Sequence, residues 1–400
     1  MTNTGTKGEK FGRIAIVGAG QAAAWAAHTL RAEKYAGEIV LVGEEHHLPY
    51  ERPFLSKGLL LGEQGPSEGE IFSRDYWEEI SVDCVLGSKV TALDLGTQSL
   101  CLDDKRQINW DMLLLCTGGR ARTVALAGAC KNVLTLRTVD DALALRKKLE
   151  SARTAVVIGG GWIGLEAAAS ASKLGVAVTV LEQGNRLCQR SLPVEASAWL
   201  KSLHDSHGVK VECAVDLSDV SDLPDGRISI TSRDGRQWTA DLVIAGVGMI
   251  PNDELAREAG LNCEAGIVVD QSCRTSHHGV FAAGDVASSY NSAFGRHLRM
   301  ESWQNAQDQG TAAAKAMLGL PITYDLLPWF WSDQHGRNLQ MVGVPAAGER
   351  VEMSYPAGVD GGALLWSYFK DDQVVGAVGI DAARPIRSLR KMLGARAVAA

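Results

Sequence analysis

Apolar residues arrive in short blocks over Arg13–Glu45, RIAIVGAGQAAAWAAHTLRAEKYAGEIVLVGEE. Ile14, Ile16 and Val17 stop at Gly18-Ala19-Gly20, an alanine-rich segment of helical length follows, and a second apolar run, Ile39–Val42, closes on Glu44 and Glu45. Such blocks, punctuated by glycine, predict strand, tight turn, helix, strand. The order recurs at Ala155–Glu182, AVVIGGGWIGLEAAASASKLGVAVTVLE. Each unit is followed by a matching return strand, Trp110-Asp111-MLLLCTGG and Ala240-Asp241-LVIAGVG. Two copies of one parallel α/β unit are the simplest reading.

Between and after the copies the pattern is shorter. His47–Leu61 predicts a loop leading into a short helix, Ser67–Asp83 a helix, and Val82–Val85 and Val90–Leu95 strands. Leu100–Leu102 and Ile108–Trp110 predict a hairpin turning at Asp103-Asp104. Thr138–Glu150 predicts an amphipathic helix with Thr138 as N-cap, acids first and bases last. Further helices are expected over Val194–His207 and Met300–Leu318, and an apolar strand over Thr275–Asp285, broken by Gly284. From Pro321 the character changes: WFW at 329–331, glycine turns, strands at Leu364–Phe369 and Val374–Ile380, and a basic stretch, Arg384–Lys391.

The two glycine turns carry candidate chemistry. Gly18 permits the tight turn, Gly20 allows backbone to approach a pyrophosphate, and Ala23 keeps helix and strand close. The helix start then offers free N–H groups and a positive dipole end to phosphate. A carboxylate ending the next strand suits a ribose, which selects Glu44 in the first unit. In the second the glycines are complete, Gly159, Gly161 and Gly164, and Glu182 lies 18 residues beyond Gly164. Glu182 argues for NADH, because a carboxylate repels a 2′-phosphate; Arg186 and Arg190 pull weakly the other way.

Length and charge narrow the function. At 400 residues the chain has room for two or three domains, and a net charge of −7 argues against nucleic acid or an anionic membrane as main partner. No apolar run reaches spanning length. Met1–Gly12 is polar and reads as a loose tail rather than a signal peptide. The eight cysteines form neither CxxC nor CxxxxC, so they are expected as free thiols in a reducing cytoplasm. His204 and His207 sit three apart and could share a metal, but no third ligand is evident; they, His46-His47 and His277-His278 are expected at the surface, and no metal site is expected.

With these motifs in order (GAGQAA at 18–23, RPFLSK at 52–57, CTGG at 116–119, LRT at 136–138, GGGWIGLE at 159–166, GVG at 246–248, TSxxxVFAAGD at 275–285, ESWxNA at 301–306, PWFWSDQ at 328–334) the chain resembles the FAD-dependent pyridine-nucleotide reductases. The nearest branch is the ferredoxin–NAD(+) reductase component of multicomponent aromatic-ring dioxygenases; the reductase of a haem monooxygenase system is the alternative. The resemblance implies a glutathione-reductase-like architecture: two Rossmann-like domains, FAD in the first and NADH in the second, plus a small C-terminal α+β domain. The implied boundaries are 1–119 and 249–320 for FAD, 120–248 for NAD and 321–400 for the last domain. FAD contacts transfer to Ala22, Glu44, Lys57, Val90, Arg137, Asp285 and Trp303. Motif residues Gln21, Arg52, Thr117, Gly118, Trp162, Ile163, Arg190, Gly248, Gly284, Glu301, Ser302 and Trp331 join the glycines as cofactor-binding candidates. Lys57 and Glu166 are implied as an ion pair beside the flavin and are the catalytic candidates. The helix containing Asn305–Leu318 is implied to aim its start at the flavin. The implied partner is a [2Fe–2S] ferredoxin of Rieske type; such ferredoxins are usually acidic, which makes the basic Arg384, Arg387, Arg390 and Lys391 candidate contacts. Phe54 replaces the more usual second proline of RPPLSK. A disulfide reductase would need a cysteine within Glu44–Leu61, which has none. An apoptosis-inducing-factor-like binding protein would want a basic surface.

Overall fold

The computed structural model describes residues 12–128, 130–356 and 362–399, with side chains to 395. Of the expected tail, Met1–Gly12, residues 1–11 lie outside the described residues. The α-helices, in chain order, are α1 (Gln21–Ala32), α2 (Arg74–Glu79), α3 (Val139–Leu149), α4 (Trp162–Lys173), α5 (Val194–Ser206), α6 (Glu254–Glu258), α7 (Trp303–Met317) and α8 (Ala383–Ala399).

Two compact units divide the chain. The first comprises the described residues to Glu51, Glu70–Gly119 and Pro251–Leu326; the second comprises Arg52–Gly69, Arg120–Ile250 and the chain from Leu327. In the first, a parallel sheet runs in the order Val280–Ala282, Met112–Leu115, Arg13–Val17, Glu38–Val42, Asp83–Val85. In the second the order is Val133–Leu134, Leu242–Ala245, Thr154–Ile158, Ala177–Leu181, Lys210–Glu212. Read from the same edge, both run outer strand, return strand, first strand, second strand, extra strand. The duplication reaches further than the fingerprints: each unit also holds a three-stranded antiparallel meander, at 90–109 and at 217–240.

Register is held alike in both sheets. Asp111 Oδ2 accepts from the N–H of Arg13 at 2.6 Å, and Asp241 Oδ2 accepts from the N–H groups of Arg153 and Thr154, both at 2.9 Å. Each aspartate precedes the return strand and ties off the start of the first. The strands they anchor are buried on both faces, as continuous apolar runs require.

In the first unit α1 and α7 pack closely. A Cβ on Gly310 would lie 2.3 Å from the carbonyl oxygen of Ala22, so only glycine permits this approach. Gln21 Nε2 donates to the carbonyl of Trp303 at 3.0 Å. In the second unit a five-stranded antiparallel sheet, in the order 329–334, 337–343, 373–380, 364–370, 350–354, carries α8 against it through Ile386 and Leu393.

Some elements are shorter than the sequence pattern suggests. The helix expected over 67–83 is confined to α2, because Pro66–Gly69 forms a 3₁₀ turn and the Ser73 hydroxyl, accepting from the N–H of Tyr76, caps the helix only at that point. The strand expected over 275–285 is confined to Val280–Ala282, since 276–279 make a turn. Thr138 caps α3 as expected, completing a capping box with Asp141.

Candidate functional site

Both glycine turns are built alike. Gly18 and Gly159 have φ of 106° and 105°, and a Cβ on either would lie 2.2 Å from the carbonyl oxygen of Cys116 or 2.4 Å from that of Gly246. Gly20 and Gly161 are the N-caps of α1 and α4, neither helix has a side-chain cap, and Gly20 has nothing within 4 Å of a Cβ position. By contrast, Thr138 and Ser302 cap α3 and α7. Two helix starts with free N–H groups in open glycine cradles fit the phosphates of a dinucleotide. The third positions differ: Ala23 is accommodated with its methyl buried, whereas a Cβ on Gly164 would lie 2.3 Å from the carbonyl oxygen of Gly159.

In the first unit, Glu44 is exposed and pairs with Lys89 at 3.0 Å, while Glu45 accepts from the Tyr50 hydroxyl at 2.5 Å. Ala22 is buried and Val90 half-buried. Thr117 Oγ1 donates to the carbonyl of Asn252 at 2.7 Å, and Gly118 has a positive φ of 60°. The N–H of Gly284 donates to Gln309 Oε1 at 2.9 Å, and the carbonyl of neighbouring Asp285 accepts from Arg299 at 2.9 Å. Glu301 pairs with the same arginine, Ser302 caps α7 by accepting from the N–H of Asn305, and Trp303 opens the helix.

The second unit gathers the remaining candidates. Arg52 donates to the carbonyl of Arg137. Trp162 lies against Phe330 with ring centres 4.6 Å apart, Ile163 is 47% exposed, and Trp331 stacks on Trp329. Glu182 is held at both oxygens, by the N–H groups of Gly160 and Gly184, each at 2.6 Å. Arg186 is occupied by the carbonyls of Leu192 and Gln189. Arg190 points toward Gly248, whose φ is 103°.

Lys57 and Glu166 form the expected ion pair, Nζ to Oε1 3.0 Å. The local fold explains how. Lys57 sits in a helical turn, Leu55–Leu59, where its φ and ψ of −122° and −106° break from helical values. Glu166 is one turn into α4, buried among Ala167, Ala168 and Leu165. Three groups were not evident from sequence: Ser56 Oγ donates to Glu166 Oε2, Ser332 Oγ donates to Oε1, and Gln334 Nε2 donates to Ser332 Oγ at 2.9 Å.

The histidines require one correction. His204 is not at the surface: it is fully buried, its Nε2 2.7 Å from Gln334 Oε1. An apolar-periodic face of α5, with Ala196 and Leu200, carries it inward. His207 is exposed as expected and stacks on His335 at 4.2 Å. Stacked rings do not converge on a metal, and no cluster of ligands suited to one occurs among the described residues. Burial lowers the His204 pKa, and burial with the neighbouring His204 and His207 holds His335 down to about 4.

All eight cysteines are free. Burial raises the thiols of Cys116 and Cys188, takes Cys273 up to about 12 and Cys84 up to about 11, the opposite of what a redox nucleophile requires. Of the basic C-terminal residues, Arg384, Arg387 and Lys391 are exposed on α8, spaced to share one face. Arg390 instead lies over the Trp329 ring, 4.8 Å from its centre. No helix among the described residues is long and apolar enough to cross a membrane.

Twin dinucleotide cradles without a reactive thiol define a nucleotide-dependent oxidoreductase of the two-Rossmann-domain class. Residues 12–310 match the pyridine nucleotide-disulphide oxidoreductase family and residues 329–400 match the reductase C-terminal domain, and the chain belongs to that family. It is 40% identical over 387 residues to the anthranilate 1,2-dioxygenase system ferredoxin–NAD(+) reductase component of Burkholderia cepacia, covering 96% of this chain and 94% of the relative. It is 39% identical over 390 residues to the benzene 1,2-dioxygenase system ferredoxin–NAD(+) reductase subunit of Pseudomonas putida, covering 96% and 93%. Among solved structures, a covalent putidaredoxin reductase–putidaredoxin complex matches with a TM-score of 0.90 at 33% identity, covering 96% of this chain and 93% of that one.

Proposed function

We propose that this chain is a ferredoxin–NAD(+) reductase: it binds FAD in the first cradle and NADH in the second, and passes electrons to a [2Fe–2S] ferredoxin, of Rieske type, that feeds an aromatic-ring dioxygenase in the cytoplasm. The observation that carries the reading is the pair of congruent glycine cradles, each opening onto an uncapped helix. Relatives at 39–40% identity over nearly the whole chain are dioxygenase reductase components, which favours that pathway over a haem monooxygenase.

When bound, the flavin supplies the conversion of a two-electron hydride donor into single electrons, and the protein supplies placement. Gly18, Gly20 and the start of α1 hold one pyrophosphate, with Glu44 for the adenosine ribose. Gly159, Gly161 and the start of α4 hold the other, with Glu182 on its ribose side. The occupation of Arg186 by two carbonyls removes a partner for a 2′-phosphate and supports NADH over NADPH. Lys57 and Glu166 fix each other and exclude water from the hydride path. The exposed face of α8 carrying Arg384, Arg387 and Lys391 supplies positive charge for an acidic ferredoxin.

The test is direct. The purified protein carries a flavin spectrum, NADH bleaches it anaerobically, and a Rieske-type ferredoxin accelerates NADH-driven cytochrome c reduction. A chain that stays colourless when offered FAD, or a flavin that NADH leaves oxidised, refutes the proposal.

A further inference from the structure

We infer that Ser332, Gln334 and His204 are positioning residues for the Lys57–Glu166 pair; the inference rests on the reading of that pair as part of the flavin site. The geometry is a buried file of hydrogen bonds within the second unit. Glu166, Ser332, Gln334 and His204 are 4%, 1%, 4% and 0% exposed. Ser332 Oγ is 2.5 Å from Glu166 Oε1, Gln334 Nε2 is 2.9 Å from Ser332 Oγ, Gln334 Oε1 is 2.7 Å from His204 Nε2, and His204 Nδ1 is 3.2 Å from His335 Nε2.

The carboxylate sets the direction of every link. An ionised Glu166 can only accept, so the Ser332 hydroxyl donates to it. That hydroxyl, its hydrogen spent, accepts from the Gln334 amide N–H. The amide oxygen then faces His204, whose Nε2 must carry a proton. A neutral His204 is left with a bare Nδ1, which accepts from the Nε2–H of His335. All the dipoles point toward Glu166, so every link of the file orients the same carboxylate oxygen. With the Ser56 hydroxyl on the other oxygen, the carboxylate plane is held from two chain segments, and Lys57 is held with it.

A purely packing role for the same residues would not reach Lys57, and this separates the two. Two measurements decide it. First, nitrogen NMR of the 15N-histidine holoprotein at neutral pH, with His204 assigned by its loss in H204L, reports the tautomer; Nε2–H is expected. A proton on Nδ1, with or without one on Nε2, overturns the inference, and this needs no substitution to fold beyond the one used for assignment. Second, labelling of Lys57 by acetic anhydride, read by peptide mass spectrometry, is expected to change roughly three- to tenfold in S332A and by roughly two- to threefold in H204L. H204Q keeps an amide N–H where Nε2–H stood and is expected to label as the parent does. Equal Lys57 labelling in the parent, S332A and H204L, each folded by circular dichroism, overturns the inference. Stopped-flow reduction by NADH should follow the labelling in limiting rate with the NADH dissociation constant unchanged. If NADH fails to bleach the parent flavin, the function proposed above falls, while the tautomer and the labelling still decide this inference.

Discussion

Replacing Gly18 or Gly159 by alanine should damage one nucleotide site and spare the other. Both have φ near +105°, where a Cβ costs roughly 1–2 kcal/mol. The new methyl would also meet a backbone carbonyl, Cys116 O at 2.2 Å or Gly246 O at 2.4 Å, against which no side chain can move aside. Relieving that overlap pulls apart the first and return strands where they are joined, at Cys116 N–H to Val17 O (2.7 Å) or Gly246 N–H to Ile158 O (2.8 Å). Weakening one such bond adds about 1 kcal/mol or more. The sum, about 2–4 kcal/mol, corresponds to roughly 30- to 1,000-fold in nucleotide affinity. G18A should purify with little flavin and regain it only at high FAD. G159A should purify yellow, with normal flavin content, and need far more NADH to bleach. The assays are flavin absorbance per chain and anaerobic NADH titration followed at the flavin band. A G159A protein that loses flavin while keeping its NADH response, or a G18A protein that does the reverse, would refute the assignment of the cradles.

Other outcomes follow from the same geometry. K57M strands a buried carboxylate and should cost about 2–3 kcal/mol, whereas K57M/E166L should cost less than the sum of its single changes by about 1–3 kcal/mol, measured by denaturant titration followed by circular dichroism. His335 is held down to about 4 in the folded chain, below the ordinary imidazole value, so its contribution to stability is intact above pH about 6.5 and is lost as the pH falls toward 4. The full shift sets a ceiling of about 3 kcal/mol, screened to about 1–2 for a half-buried ring; melting temperatures from pH 7.5 down to 4.5 should fall less steeply in H335N, and parallel slopes would count against it. Neutralising Arg384 and Arg387 should raise the ferredoxin Michaelis constant and flatten its salt dependence, while R390Q should also lower the melting temperature through the lost contact with Trp329. An unaltered constant would remove this face of α8 from the interface.

Much of the architecture could be read directly because it is local. Gly18 and Gly159, Asp111 and Asp241, and the Thr138 cap each announce themselves within a few residues, and the duplicated pattern made each copy support the other. The second meander, not among the elements expected above, also has a local signal: Asp225-Gly226 and Asp234-Gly235 flank the alternating Ile228 and Ile230, a good hairpin pattern. What pattern cannot supply is long-range pairing. Nothing near His204 says that Gln334, 130 residues on, will bury it. Gly310 looks like a flaw in an alanine-rich helix until Ala22 is seen against it. Ser332 reads as one polar residue in an alternating strand, and only the fold turns its hydroxyl onto Glu166.

The chain leaves the first unit after Gly119 and re-enters it at Pro251, and the two passages lie side by side. Asn252 N–H donates to Gly118 O at 3.0 Å, and Asn252 Nδ2 and Thr117 Oγ1 exchange bonds with each other's backbone carbonyls. Within the second unit, Arg122 N–H donates to Gly248 O at 2.9 Å. A guest segment whose ends are already stitched together asks its host to close no wide gap, and the loop-closure entropy of its length is absorbed by its own folding. The host strands Met112–Leu115 and Val280–Ala282 therefore pair as though the 131 inserted residues, 120–250, were a short turn.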